Sequence, residues 1–241
     1  MMTKTIAVLG VGPSFGLGAA IGRRFARGGF RVFIGGRNTE RLAGVADEIS
    51  ALGDHPATPI GVDVTEPEQV TRFFETVGIV PDAVVYNAGN NQHIPFLELK
   101  PETFEEFWRV CTYGGLLVGQ EAVRRMLGRG SGSILFTGAS ASRRGRPGFC
   151  QFAAGKAGLK AIAESMAREF GPQGIHVGHV IIDGAVNGER IATLAPAIAE
   201  QRGEDGLIAI DDIAETFWQL HHQGRTAWTF ETELRPYKEA F

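Results

Sequence analysis

Short runs of consecutive apolar residues alternate along this chain with longer segments in which apolar residues return about once per helical turn. The runs are "TIAVLG", "FRVFIGG", "TPIGVDV", "DAVVYNAG", "GSILFTGA" and "IHVGHVIIDG". Their Val, Ile and Phe stand side by side, as strands buried on both faces of a parallel sheet require. Between them, "LGAAIGRRFARGG" sets Leu17, Ile21 and Phe25 on one helical face. "NTERLAGVADEIS" begins with a cap, Asn38, and carries acidic Glu40 in its first turn. A last helix over "DDIAETFWQLHHQ" precedes a strand in "TAWTFETEL", which Arg235-Pro236 ends. Repeated β-α-β units predict right-handed crossovers and one α/β domain over 1–241, a doubly wound parallel sheet with helices on both faces. The segment 187–206 is expected to leave the sheet's C-terminal edge as a substrate lid, with Ile191, Leu194 and Ile198 as its apolar anchors.

Composition narrows the partners. A net charge of -3 over 241 residues gives no electrostatic case for nucleic acid or an anionic membrane. No apolar run reaches the ~18 residues of a membrane helix. The N-terminal "MMTKTIAVLG" enters a strand at once, leaving no room for a secretory signal, and Cys111 and Cys150 suit reduced thiols. A cytoplasmic protein acting on a small molecule is the expectation.

"VLGVGPSFGLGAAIG" follows the first strand and opens the first helix, with Gly12, Gly16 and Gly18 in a G-x-x-x-G-x-G array. Glycines there allow a tight turn and let a pyrophosphate approach the backbone, while the helix N-terminus offers free N–H groups. The spacing, and the chain as a whole, resemble the short-chain dehydrogenases/reductases, whose sheet is of Rossmann type. The resemblance implies that Gly12, Ser14, Phe15, Gly16, Leu17 and Gly18 hold the phosphates. It further implies that Asp63 and Val64 meet the adenine, that Asn87-Ala88-Gly89 closes over the adenosine side, and that Val186 contacts the nicotinamide carboxamide. An enzyme selecting NAD usually places an acid after the second strand. Here "GGRNTERL" offers Arg37, suited to a two-pronged contact with a 2′-phosphate. NADP(H) is therefore the expected cofactor, with NAD(H) possible.

The catalytic set implied by the resemblance is damaged. In the family, a Tyr supplies the proton, a Lys four residues later lowers its pKa and holds the ribose, a Ser orients the substrate and an Asn fixes a water. Lys156 matches. The tyrosine position is Phe152, the serine position Ala139, and the asparagine position Cys111. Ser140, one residue late, is the candidate serine. The rarer spacing of seven residues before the lysine finds Phe149. Among other groups, Tyr86 ends a strand and is expected near the adenosine. Tyr113 falls ~200° around an α-helix from Cys111. His93 borders the expected substrate pocket and is a possible proton donor. Cys150, two helical places from Phe152, is expected to point elsewhere and to be a simply buried thiol. His176 and His179, three apart on a strand, face opposite ways and so share no metal. His221 and His222 end a helix, where positive charge suits the dipole.

Two functions fit. One is an oxidoreductase transferring hydride to or from a small carbonyl, alcohol or activated alkene. The other is a catalytically silent NADP(H)-binding sensor or oligomer partner. Small residues in "QFAAGKAGLKAIAESMAREF" admit a close neighbour, and the resemblance implies a homodimer or homotetramer. Tyr237 and Phe241 are candidates to cover a neighbouring subunit's pocket.

Overall fold

The computed structural model describes residues 3–239; Phe241, and with it any role in covering a pocket, lies outside the described residues. Six strands come from the six apolar runs: β1 (Thr5–Leu9), β2 (Arg31–Gly36), β3 (Thr58–Gly61), β4 (Ala83–Tyr86), β5 (Gly132–Thr137) and β6 (Ile175–Ile182). With a late strand, Glu231–Leu234, they form a parallel sheet ordered β3-β2-β1-β4-β5-β6 and then that strand. The order reverses between β1 and β4. In open parallel sheets ligands bind at such a crevice, outside the strands' C-terminal ends.

Helices cover both faces. On one lie α1 (Leu17–Arg27) and α2 (Thr39–Ser50), against a core that includes Ile6, Val8, Ile21, Phe25 and Phe217. Ile21 and Phe25 are buried and Leu17 packs beside them, as the fourfold spacing requires. Asn38 caps α2, its side chain accepting from Arg41 N at 2.9 Å. On the other face lie α3 (Pro67–Val77), α4 (Pro101–Trp108), α5 (Gly114–Leu127) and α6 (Cys150–Phe170). After β6 come the short α7 (Glu189–Leu194) and α8 (Pro196–Arg202), then α9 (Ile210–His221).

Several details depart from the sequence pattern. β3 is an edge strand whose residues are partly or fully exposed, because only β2 pairs with it. The last strand of the sheet begins at Glu231, not in the preceding aromatic stretch: Trp228 leaves the sheet to stack on His176, ring centroids 4.9 Å apart. Two-residue strands, β7 (Val186–Asn187) and β8 (Ile208–Ala209), pair at the two ends of the 187–206 segment. The late strand of the main sheet is thus β9. Finally, Arg109–Tyr113 forms a π-helical turn between α4 and α5, so the 3.6-residue phase used for Tyr113 does not hold there.

Candidate functional site

A cavity of about 320 Å³ opens at the β1/β4 crevice, lined by Gly12, Gly16, Leu17, Gly18, Arg37, Asp63, Val64, Asn87, Ala88 and Gly89. The glycine-rich loop builds one wall, and its glycines serve different ends. Gly10, absent from the sequence reading, has φ +90, and a Cβ there would lie 2.2 Å from Ala88 N. Gly18 is also close-packed, though less so: a Cβ there would lie 3.1 Å from Gly10 O and 3.2 Å from Asn87 Nδ2. A Cβ on Gly12, by contrast, would meet nothing within 4 Å. Packing therefore demands Gly10 and favours Gly18, while the space before Gly12 is free for a group approaching the backbone. That is the fit a pyrophosphate needs.

Asn87 braces this wall. Its Nδ2 donates to Gly10 O at 3.0 Å, and its Oδ1 accepts from Thr137 Oγ1 at 3.0 Å, tying the ends of β1, β4 and β5 together. Asp63 accepts from Thr65 N and Thr65 Oγ1 through one oxygen, at 3.0 and 2.8 Å. Arg37 is exposed on the cavity rim and makes no hydrogen bond or ion pair with the described residues. Ser14 and Phe15 do not line the cavity. Ser14 Oγ donates instead to Glu48 Oε2 at 2.5 Å, and Phe15 is 43% exposed.

At the reaction end, Lys156 is buried and its Nζ donates to Thr137 O at 2.7 Å. Burial lowers its pKa, opposed by the Cys111 thiol. Gly89 lies over both groups: a Cβ there would be 3.2 Å from Lys156 Nζ and 3.9 Å from Cys111 Sγ. Phe152 is half-buried one turn earlier. Ala139 is buried and Ser140 begins a short 3₁₀ turn, partly exposed. Ser142 is the serine engaged by the fold: Ala139 N donates to its Oγ at 3.2 Å, and that oxygen lies 3.3 Å from His179 Nε2. His179 Nδ1 lies 3.1 Å from Glu231. This network escaped the sequence reading because its members are far apart in the chain. So did buried Asp183, which Arg144 and Arg235 clamp from two sides.

The alternative proton donors resolve differently. Tyr86 points into the core on the far face of the sheet, where its hydroxyl donates to Val110 O and burial raises its pKa. Tyr113 stacks on Trp108 while Cys111 is buried. His93 is exposed and packs edge-on to Phe149, centroids 5.4 Å apart, against Gly148. Cys150, the first residue of α6, is partly exposed rather than buried, and both cysteines are free thiols. His176 and His179 do face opposite sides of β6: one meets Trp228, the other Ser142 and Glu231. No group of metal-binding side chains occurs among the described residues. His221 closes α9, but burial lowers its pKa to about 3. It is a neutral partner of Ser133 at 2.6 Å, not a cation on the helix dipole. No helix among the described residues is long and apolar enough to cross a membrane.

Comparison with known proteins agrees with this geometry. A short-chain dehydrogenase from Rhodopseudomonas palustris superposes with a TM-score of 0.81 at 38% identity, over 97% of this chain and 99% of that one. An alcohol dehydrogenase from Thermococcus sibiricus, complexed with 5-hydroxy-NADP, has the same fold: TM-score 0.86, 24% identity, 99% of each chain covered. In sequence, carbonyl reductase family member 4 of Danio rerio is 30% identical over 191 residues, 78% of each chain. Residues 4–196 match the family described as short chain dehydrogenase. With the glycine-rich loop, the crevice and the Lys156 position in place, this chain belongs to the short-chain dehydrogenase/reductase family of NAD(P)-binding oxidoreductases.

Proposed function

We propose that this protein is an NADP(H)-dependent oxidoreductase acting on a small carbonyl, alcohol or activated alkene, with a catalytic set reduced to Lys156. The observation that carries the cofactor half of this reading is the unpaired Arg37 guanidinium on the rim of a cavity walled by bare glycine backbone. Gly12, Gly16, Leu17 and Gly18, which line the cavity, hold the phosphates. Asp63, Val64 and Asn87-Ala88-Gly89 hold the adenosine side, and Lys156 and Val186 the nicotinamide side. When bound, the dinucleotide supplies or receives the hydride. Lys156 holds its ribose, its Nζ lying beneath Gly89. Phe152 has no proton to give, so a carbonyl substrate draws its proton from water or His93, and an alkene needs a phenol least. Ser140 is the remaining hydroxyl for orienting a substrate oxygen.

The second reading, a silent NADP(H)-binding protein, is favoured by the joint loss of Tyr, Ser and Asn at Phe152, Ala139 and Cys111. A panel of ketones, aldehydes, alcohols and activated alkenes, assayed with NADPH or NADP⁺, separates the two. Turnover on any class supports the oxidoreductase. Tight NADPH binding with no turnover supports the silent binder, and no binding defeats both.

The assembly proposed is a homodimer or homotetramer through α5 and α6. A groove of about 430 Å³ runs between them, lined by Leu116, Gly119, Val123, Leu127, Ile162 and Phe170. A monomeric mass by light scattering at micromolar concentration would contradict it. A cytoplasmic location agrees with the free cysteines.

A further inference from the structure

The segment between β7 and β8 is held differently from the rest of the molecule. Neither α7 nor α8 buries a residue, and Leu194 is 76% exposed. Helices of six and seven residues have little stability of their own, and these have no core to lean on. The turn that returns the chain to β8 is unusual as well. It passes through Gly203 at φ +65 and Asp205 at φ 56, the one non-glycine residue in the left-handed region among the described residues.

What positions the segment is polar contact at its two ends. At the first, Glu189 N donates to Phe15 O at 2.7 Å, and Gly188 packs on the same carbonyl, a Cβ there lying 3.2 Å away. The segment's root therefore rests on the glycine-rich loop itself. At the far end, Arg202 forms a forked ion pair with Glu239, and Lys238 Nζ donates to Glu204 O. Residues 238 and 239 reach that point because the chain leaving β9 is pinned. Arg235 pairs with buried Asp183, and Pro236 packs so tightly over Gly184 that a Cβ there would lie 2.7 Å from Pro236 Cδ.

We propose that residues 235–239 are a strap over the lid, and that Arg202 and Glu239 are positioning residues that set how readily a dinucleotide enters and leaves the cleft. The second clause rests on the dinucleotide reading above; the strap itself does not. Because the root is bonded to the loop expected to hold the phosphates, lifting the lid and freeing that loop are one event. Loosening the far clasp makes that event more frequent. Both clasp side chains are partly exposed, at 36% and 18%, so each contributes modestly and salt weakens it.

The test uses the full chain with Arg202→Ala, Glu239→Gln and the exchanged pair Arg202→Glu/Glu239→Arg, each checked for an unchanged melting temperature. Amide hydrogen exchange without ligand should rise about two- to fivefold across 187–206 in the single variants, the effect of a partly exposed ion pair. Exchange in β1 and β6 should not change. NADPH release, followed by stopped-flow fluorescence, should quicken by a similar factor, and the exchanged pair should restore both. Unchanged exchange in the single variants would overturn the strap. Faster exchange with unaltered NADPH release would overturn its control of the cleft. A wild-type protein that binds no dinucleotide would instead defeat the functional reading, while the exchange arm still decides the strap.

Discussion

The two ends of the cleft are built to different standards. At the end lined by the glycine-rich loop the walls are closely built: Gly10 and Gly18 pack backbone on backbone, Asn87 bridges three strand ends, and Arg37 stands unpaired on the rim. At the end proposed for the reaction Lys156 is held as firmly, yet Phe152, Ala139 and Cys111 stand where the family resemblance implies a proton donor, a serine and an asparagine. The difference lies in what each residue does for the fold. A Cβ on Gly10 would collide with Ala88, and removing Asn87 would orphan Gly10 O and Thr137 Oγ1. A ring at 152 needs no hydroxyl to pack. The scaffold that receives a cofactor is thus coupled to stability, and the chemistry is not.

Restoring the missing hydroxyl tests that contrast most strongly. Phe152→Tyr should raise carbonyl reduction by about 10²–10⁴-fold, the usual contribution of a positioned general acid, measured as kcat/KM with NADPH on small ketones. No gain would mean that the reaction end is misshapen as well as unarmed. Gly10→Ala works from the other side. The added carbon meets Ala88 N at 2.2 Å in a left-handed backbone, so a loss of about 3 kcal/mol or more in urea unfolding is expected. Full stability in that variant would uncouple the cofactor wall from the fold.

Arg37→Ala should weaken NADPH binding by about 10- to 100-fold, the range of a lost charge-assisted contact, with NADH nearly unaffected. Equal weakening of both would assign Arg37 to something other than the 2′-phosphate.

Acid gives the mildest probe, and it divides the sheet. Burial holds His179 at about 4 and His221 at about 3, and lowers His176 too. The unfolded chain therefore binds protons that the fold refuses. Stability is complete above the ordinary histidine value of about 6.5 and is lost as pH falls from there toward 3. These rings sit on or against β5, β6 and β9, with Glu231, Lys160 and Lys156 facing His179. Amide exchange at pH 5 should rise in β6 and β9 before β1 and β2. A uniform rise would contradict the division.

Much of this was legible in the chain. The six buried strands announce themselves because both faces need apolar residues, and Asn38 and Gly12 lie where local backbone chemistry puts them. The apolar content of β3 implies burial on both faces and does not reveal that the strand ends the sheet. β7 and β8, two residues each, are too short to have a period. The π turn at Arg109–Tyr113 is invisible to a 3.6-residue phase, since the apolar pattern runs on through it. At the site, the Phe152–Lys156 spacing and Arg37 could be seen in sequence. The Ser142–His179–Glu231 chain and the double clamp on Asp183 could not, because each joins β5 or β6 to a strand or tail some fifty residues later. His221 ends α9 as its position implies, yet carries no charge there, because residue type does not tell that the ring is buried against Ser133.

Titration of the wild-type protein with NADPH and with NADH in a calorimeter tests most directly whether the crevice between β1 and β4 receives the adenosine and phosphate half of a nicotinamide dinucleotide. Saturable binding of both is expected, tighter for NADPH. Absence of heat with either nucleotide, in protein shown to be folded, would contradict it.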